Sequence, residues 1–449
     1  MTEKTNPEIA DSRRGFIKKS SAAAAVAGVS MPYFNANAQD DKKLKIGIVG
    51  CGGRGSGAAA QALRADDNCE LWAMGDLSAD IIEKQSEKVA KEMTKAKTPE
   101  KMNLGSRKFV GLDAYKQVID SGIDVILLTT PPGFRPQHFE AAVEAGIHCF
   151  VEKPCATDVA GVKRFMAAGR KAKDKNLSVL SGLCYRYSDH CRELHKRIND
   201  GAIGDIQAID AVYYTNMVKA MPPESERPAG MSDTEWQVRN WYNYTWLGGD
   251  GIVEQGIHSV DKVLWAMGDD LEGLKVYAQG GRNRPNNVCN TWDHFHVSFV
   301  WPSGVRAHVD WTQWAADQPG FRENTDYILG SKGSANYTFS AGEIEAEGDN
   351  AWKYRPPREG GVSPYQIEHN ELFANIRRGE RHGDEEWIAR TTMVGIMARY
   401  AAYTGEEMTF DKISAIDEKL VPDVIDWDAP LPVRPIQVPG VTPYPPKSA

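Results

Sequence analysis

The chain predicts two domains in series: an α/β domain with a parallel, doubly wound sheet, then an α+β domain with an open, mostly antiparallel sheet. Three observations carry this reading. Residues 44–182 alternate apolar strands with amphipathic helices, a glycine-rich turn follows the first strand directly, and beyond residue 185 longer runs of period two take over. At 449 residues the chain exceeds one ordinary domain and can bury two cores. Charged residues make up 25% and hydrophobic residues 41%, the balance of a globular protein. A net charge of −8 gives no support to nucleic-acid or anionic-membrane binding.

The first 38 residues read as a signal peptide. Arg13 and Arg14 precede Phe16, Ile17 and Lys18, an alanine-rich run follows, and Ala36-Asn37-Ala38 forms a small-x-small cleavage site. The apolar run is too short and weak for a membrane span. Paired arginines in this setting are the mark of twin-arginine export, which carries folded proteins. The expectation is transient binding to the twin-arginine translocase, a mature chain from Gln39 and a periplasmic location. The seven cysteines (51, 69, 149, 155, 184, 191 and 289) form no CxxC pair and are expected as free thiols.

Residues 42–184 should form the first domain. Its strands are "LKIGIVG", "CELWAMGD", "DVILLTT", "IHCFVEK" and "LSVLSGL", with helical patterns such as "SADIIEKQSEKVAKEM" and "PQHFEAAVEAG" between them. Continuous apolar strands separated by helices require a parallel sheet covered on both faces. Residues 185–410 should form the second domain, from "GDIQAIDAVYYT", "LEGLKVYAQG", "TWDHFHVSFVWPSGVRAHVDWTQW" and "TDYILGSKGSANYTFS", closed by two helices near 364–380 and 386–405. The segment 217–240 reads as a loop over the cleft. Residues 411–449 form a proline-rich tail. A sheet open on one face also suggests a homo-oligomer.

"GIVGCGGRGSG" places Gly50, Gly52 and Gly55 in G-x-G-x-x-G between a strand and a helix, with Gly53 and Arg54 inside the turn. Such glycines allow a tight turn and close approach of a pyrophosphate to the helix N-terminus, the mark of a Rossmann domain. Asp76 ends the second strand 21 residues beyond Gly55, placed to accept hydrogen bonds from an adenosine ribose. A carboxylate there repels a 2′-phosphate, so NAD is expected over NADP. Thr130 and Pro131, with His138 on the next helix, should wall the nicotinamide side. Glu152-Lys153-Pro154 ends a further strand at the ligand-binding edge of the sheet.

The stretch "GGDGIVEQGIHSVDKVLWAMG" puts Glu254, His258, Asp261 and Trp265 on one stripe of a predicted helix, about 100° from an apolar stripe of Val253, Ile257, Val260, Leu264 and Met267. A carboxylate and an imidazole one turn apart suit a metal site, a hydrolytic acid–base pair or a proton relay. His294 and His296, two apart on a strand, could face one cleft, but such histidines are more commonly surface or core positions and no closed ligand set lies near Glu254, so no metal is expected. The aromatic-rich "EWQVRNWYNYTWLGGD" offers Arg239, Asn240 and Trp241 to a sugar, whose C–H face stacks while its hydroxyls take hydrogen bonds. Packing of a long loop accounts for each aromatic equally well. Tyr185, Arg186 and Tyr187 enter the second domain at the cleft.

Together these motifs resemble the glucose–fructose oxidoreductase, inositol dehydrogenase and rhizopine-catabolism (Gfo/Idh/MocA) family. The resemblance rests on the strand-1 fingerprint, Glu152-Lys153-Pro154, the GG-x8-His helix, "ILGSKGS" and "ARYAAYTG", and spans essentially the mature chain. It implies that Lys153 contacts the reacting hydroxyl and nicotinamide, and that His258 accepts the proton. The family's helix reads D-x-x-x-H where this chain has Glu254-x-x-x-His258. The implied function is NAD-dependent oxidation of a secondary hydroxyl of a sugar or glycoside, with tightly bound cofactor recycled in place. Two alternatives stand beside it: an NAD-dependent glycoside hydrolase working by transient oxidation and elimination, and a non-catalytic sugar-binding protein.

Overall fold

A computed structural model describes residues 42–445, apart from 269, 285–288, 315–319, 356 and 358–360. The expected twin-arginine signal, residues 1–38, lies outside the described residues. Apolar strands buried on both faces build a six-stranded parallel sheet in the order β3-β2-β1-β4-β5-β6. Its elements are β1 (Leu44–Val49), α1 (Gly53–Ala65), β2 (Cys69–Asp76), α2 (Ala79–Lys95), β3 (Lys108–Val110), α3 (Ala114–Asp120), β4 (Val125–Leu128), α4 (Arg135–Glu144), β5 (His148–Val151), α5 (Val159–Asp174) and β6 (Val179–Ser181). The order reverses between β1 and β4, and in such sheets the carboxyl ends of those strands open a ligand crevice. Ile46, Ile48, Val125, Leu127 and Phe150 are among the residues that fill one face. Val49, Ile126, Leu128, Phe139 and Val151 fill the other.

The second sheet has nine strands in the order β14-β13-β12-β11-β7-β10-β9-β8-β15. Helix α6 (Asp189–Asn199) leads into β7 (Ile206–Asn216), and α7 (Asp233–Arg239) lies in the excursion that follows. A broken helix comes next, α8 (Gly251–Glu254) and α9 (Ile257–Met267). The remaining strands are β8 (Lys275–Gly281), β9 (His294–Val300), β10 (Arg306–Trp314), β11 (Glu323–Gly330), β12 (Gly333–Tyr337), β13 (Gly342–Ala346), β14 (Trp352–Lys353) and β15 (Met408–Thr409). All neighbouring pairs are antiparallel except β7 and β10, which pair Ala211 with Val309 in parallel. Phe295, Val297, Val309 and Trp311 point inward onto α9, whereas Asp210, Tyr327 and Leu329 remain exposed on the outer face. Strand alternation produces this one-sided burial.

Helices α10 (Pro364–Arg378) and α11 (Glu385–Thr404) do not simply close the second domain. Helix α10 packs on α1 with Leu372 and Phe373 in the first domain's core, and Gln366 Nε2 donates to the Gln61 carbonyl (2.9 Å). Arg377 reaches both Asp66 oxygens at 2.7 and 2.8 Å. Among the described residues, no helix is long and apolar enough to cross a membrane. The seven cysteines are free and buried.

Candidate active site

The crevice at the topological switch point is a cleft of about 270 Å³. Gly50 sits at φ +91°, open to glycine and costly for other residues, and a Cβ there would stand 2.6 Å from the Thr130 nitrogen. Above Gly52 and Gly53 the space is open: a Cβ on either would meet nothing within 4 Å. The first-turn N–H groups of α1 face that space, which fits a pyrophosphate. Asp76 lines the cleft, half-buried, accepting from Cys51 N–H (2.6 Å) and Ser78 N–H (3.2 Å). Burial raises its carboxyl above the usual range, and those backbone donors oppose the rise. Each oxygen keeps a lone pair for a ribose hydroxyl. These residues fit a dinucleotide.

Thr130, Pro131 and His138 line the same cleft. Thr130 Oγ1 lies 3.3 Å from His138 Nδ1, and the imidazole stacks on Tyr115 at 4.2 Å. Burial, aided by Arg135 and Arg164, pushes His138 down to about 3, so the ring is neutral. Thr129, unremarked in the sequence, anchors the glycine turn by donating to the Gly50 carbonyl at 2.7 Å.

Two expected cofactor contacts are engaged elsewhere. Arg54 donates to Glu152 and lies 3.5 Å from Glu368 of α10, while its guanidinium stacks 4.8 Å from the Tyr365 ring. Glu152 is buried, and burial would raise its carboxyl, but Arg54, Arg135 and Lys153 outweigh that and hold it below the ordinary value. Both residues brace β5 and α1 from behind the turn. The cause is α10, which returns from the far end of the chain.

Lys153 ends β5 and reaches across to the second domain. Its Nζ donates to Glu254 Oε1 (2.9 Å) and to the Glu254 carbonyl, and the two side chains are only 14% and 11% exposed. The carboxylate therefore answers the lysine, not the histidine four residues on. The predicted single helix is interrupted at Gln255-Gly256, between α8 and α9, and this turn resets the phase of Glu254 against His258. Asp250 at φ +74° anchors the entry by accepting from Gly251 and Trp292 N–H groups and from Tyr403. Gly251 is required because a Cβ would stand 1.9 Å from the Trp311 ring.

His258 packs edge-on against Tyr185, with ring centroids 5.5 Å apart. Its Nδ1 is buried and lacks a hydrogen-bond partner within the protein. Burial first, then Lys153 and Lys262, hold the imidazole well below its ordinary pKa. A neutral imidazole keeps one unprotonated nitrogen, which can accept a substrate proton. Two phenols join this group: Tyr242, from the aromatic-rich stretch, and Tyr213, which carried no signal in the sequence. Burial and the Glu254 carboxylate raise Tyr242 well above its usual value and take Tyr213 up to about 12. Gln313 Nε2 links Tyr242 (3.3 Å) to Gln255 Oε1 (2.8 Å).

The remaining substrate expectations divide. Tyr185 is at the site, accepting from Asn324 at 3.2 Å. Asp261 is not: buried, it is gripped through both oxygens by Arg186 (3.0–3.1 Å) and also accepts from Thr391 (3.1 Å). Tyr187 donates to Asp384 and lies 3.0 Å from His382 Nε2, away from the cleft. Asn240 turns inward to the Trp236 carbonyl (3.0 Å). Arg239 and Trp241 line the cofactor cleft on the Asp76 side. His294 and His296 pair with Asp293 and Asp310 on the partly exposed positions of β9. Among the described residues, no three potential ligands cluster around a metal position.

A dinucleotide crevice in the first domain, with a lysine at the end of β5 that pairs with the helix carrying the imidazole of the second, defines a two-domain NAD-linked oxidoreductase. Residues 44–180 match the oxidoreductase family with an NAD-binding Rossmann fold, and residues 191–336 match the GFO/IDH/MocA C-terminal domain. The chain belongs to the Gfo/Idh/MocA family. It is 22% identical over 237 residues to myo-inositol 2-dehydrogenase of Thermotoga maritima, a match spanning 53% of this chain and 58% of that enzyme. It is 23% identical over 366 residues to inositol 2-dehydrogenase 3 of Saccharopolyspora erythraea, spanning 78% and 91%. The aldose–aldose oxidoreductase of Caulobacter crescentus, solved with glycerol, shares the fold at a TM-score of 0.63 and 18% identity, covering 82% of this chain and all of that one.

Proposed function

We propose that this protein oxidises a secondary hydroxyl of a sugar or glycoside, using an NAD that stays bound and is recycled in place. The observation that carries the reading is the Lys153–Glu254 pair joining the two domains beside the neutral imidazole of His258. When bound, the nicotinamide supplies hydride acceptance. Lys153, supported by Glu254, stabilises the negative charge that develops on the substrate oxygen. His258 accepts the hydroxyl proton on its imidazole. Buried phenols at Tyr213 and Tyr242 offer hydrogen bonds to neighbouring hydroxyls. The names of the relatives, inositol dehydrogenases and an aldose oxidoreductase, support a polyol or sugar substrate.

The paired arginines and the Ala36-Asn37-Ala38 site support export by the twin-arginine route to the periplasm. Free nicotinamide cofactor is expected to be scarce there, which favours a bound and recycled one. Exposed Tyr277, Tyr327 and Leu329 on the outer face of the second sheet support self-association. The test is spectroscopic. Purified protein loaded with NAD should gain nicotinamide absorbance when aldoses, inositols and glycosides are added in turn, and lose it with a second carbonyl compound. No change with any of them, in protein that binds NAD, overturns the oxidoreductase reading. Release of an aglycone without net reduction would establish the hydrolase instead.

A further inference from the structure

A Rossmann domain on its own leaves the adenosine half of its ligand facing solvent. Here that half is roofed. Beside Asp76, Leu77, Ile81 and Leu112, the cleft is lined by Val238 and Arg239 from the 217–240 excursion, by Trp241 that follows it, and by Trp427 from the C-terminal tail. We infer that Arg239, Trp241 and Trp427 are cofactor-binding residues contributed from outside the dinucleotide domain, forming a clasp that holds the adenosine through turnover. The inference rests on the NAD reading of the cleft and adds the residues that retain the ligand.

The clasp is a built structure. Ser232 caps α7 by accepting from Glu235 N–H (3.1 Å). Three side chain–backbone bonds tie α7 to the tail: Thr234 Oγ1 to the Asp426 carbonyl (2.8 Å), Gln237 Nε2 to the Leu431 carbonyl (2.6 Å), and Leu431 N–H to Asp233 Oδ2 (3.0 Å). Beneath them lies a separate apolar core of Met221, Trp236, Trp246 and Leu420 around Phe134, with Leu77 and Leu112 of the first domain packed against it. Arg239 then crosses to the first domain, where Nη2 sits 3.2 Å from Ser78 Oγ, two residues beyond Asp76.

The chemistry of the lining suits this role. Trp241 and Trp427 both line this cleft, and an aromatic face is the usual platform for a base. The guanidinium of Arg239 adds donors at the ribose rim. The cleft of about 270 Å³ is narrow for a small-molecule site, so these side chains stand close to whatever occupies it.

The experiment measures release and needs no substrate. The full chain is loaded with NADH and chased with excess NAD, and the loss of bound-NADH fluorescence gives the rate. Trp427→Ala should release NADH roughly tenfold faster or more, the scale of one lost base–aromatic stack. Trp427→Phe should stay near wild type, because it keeps an aromatic face. Arg239→Ala, at an exposed position that leaves the core untouched, should also release faster and serves if Trp427→Ala fails to fold. Wild-type rates in Arg239→Ala and in folded Trp427→Ala overturn the inference alone. A wild-type chain that takes up no nicotinamide dinucleotide overturns the NAD reading beneath it.

Discussion

Lys153 shows how a partner changes the consequence of a substitution. A lysine at a strand end reads as dispensable for folding, but in the structure it neutralises Glu254 inside a nearly closed pocket. Lys153→Ala therefore strands a carboxylate, and Lys153→Met with Glu254→Gln is the cleaner pair. Lys153→Met and His258→Ala should each retain NAD yet lose roughly 10²–10⁴-fold in kcat, with the double variant little worse than either, since groups acting in one step are not additive. Steady-state kinetics and bound-cofactor absorbance check this, and full activity in His258→Ala would end its role. His138 gives a pH prediction. Its folded value, about 3, lies below the unfolded value near 6.5, so the unfolded chain binds one more proton between them. Its contribution to stability is complete above about pH 6.5 and is lost as pH falls toward 3. His138→Gln should reduce the acid-side slope of unfolding free energy by up to about 1.4 kcal/mol per pH unit, measured by urea titrations from pH 4 to 7.

At the scale of elements, legibility follows the range of the interactions. The glycine turn, Asp76 and the strand-end Lys153 are local features, and their pattern places them at one sheet edge. The broken helix was hidden because Gly256 sits within a good apolar period, and only the fit of Gly251 against Trp311 and the bonds of Asp250 force the turn. Arg54, Asp261 and Tyr187 sit differently from the sequence expectation for a related reason: their partners Glu152, Arg186 and Asp384 are 98, 75 and 197 residues away along the chain. Trp427 carries no motif at all. Gly251→Ala should destabilise the chain by about 1–3 kcal/mol through overpacking against Trp311, and should weaken activity further by moving Glu254. Urea unfolding with unchanged midpoint would show that Trp311 yields freely.

Across the whole molecule, the proposed export and the architecture make linked demands. Replacing Arg13 and Arg14 with lysines should leave an uncleaved precursor in the cytoplasm, checked by fractionation and N-terminal sequencing, and normal processing to Gln39 would refute the route. The return of α10 onto α1 has another consequence, concerning synthesis. Leu372 and Phe373 complete a core begun by Ile46 and Ile48, so the ribosome must pass residue 378 before the first domain has all its parts. Nascent chains halted between the two domains should stay protease-sensitive and sticky, despite containing every residue of the glycine turn. A translocase that accepts only folded cargo would then meet a candidate only after nearly the entire message had been read.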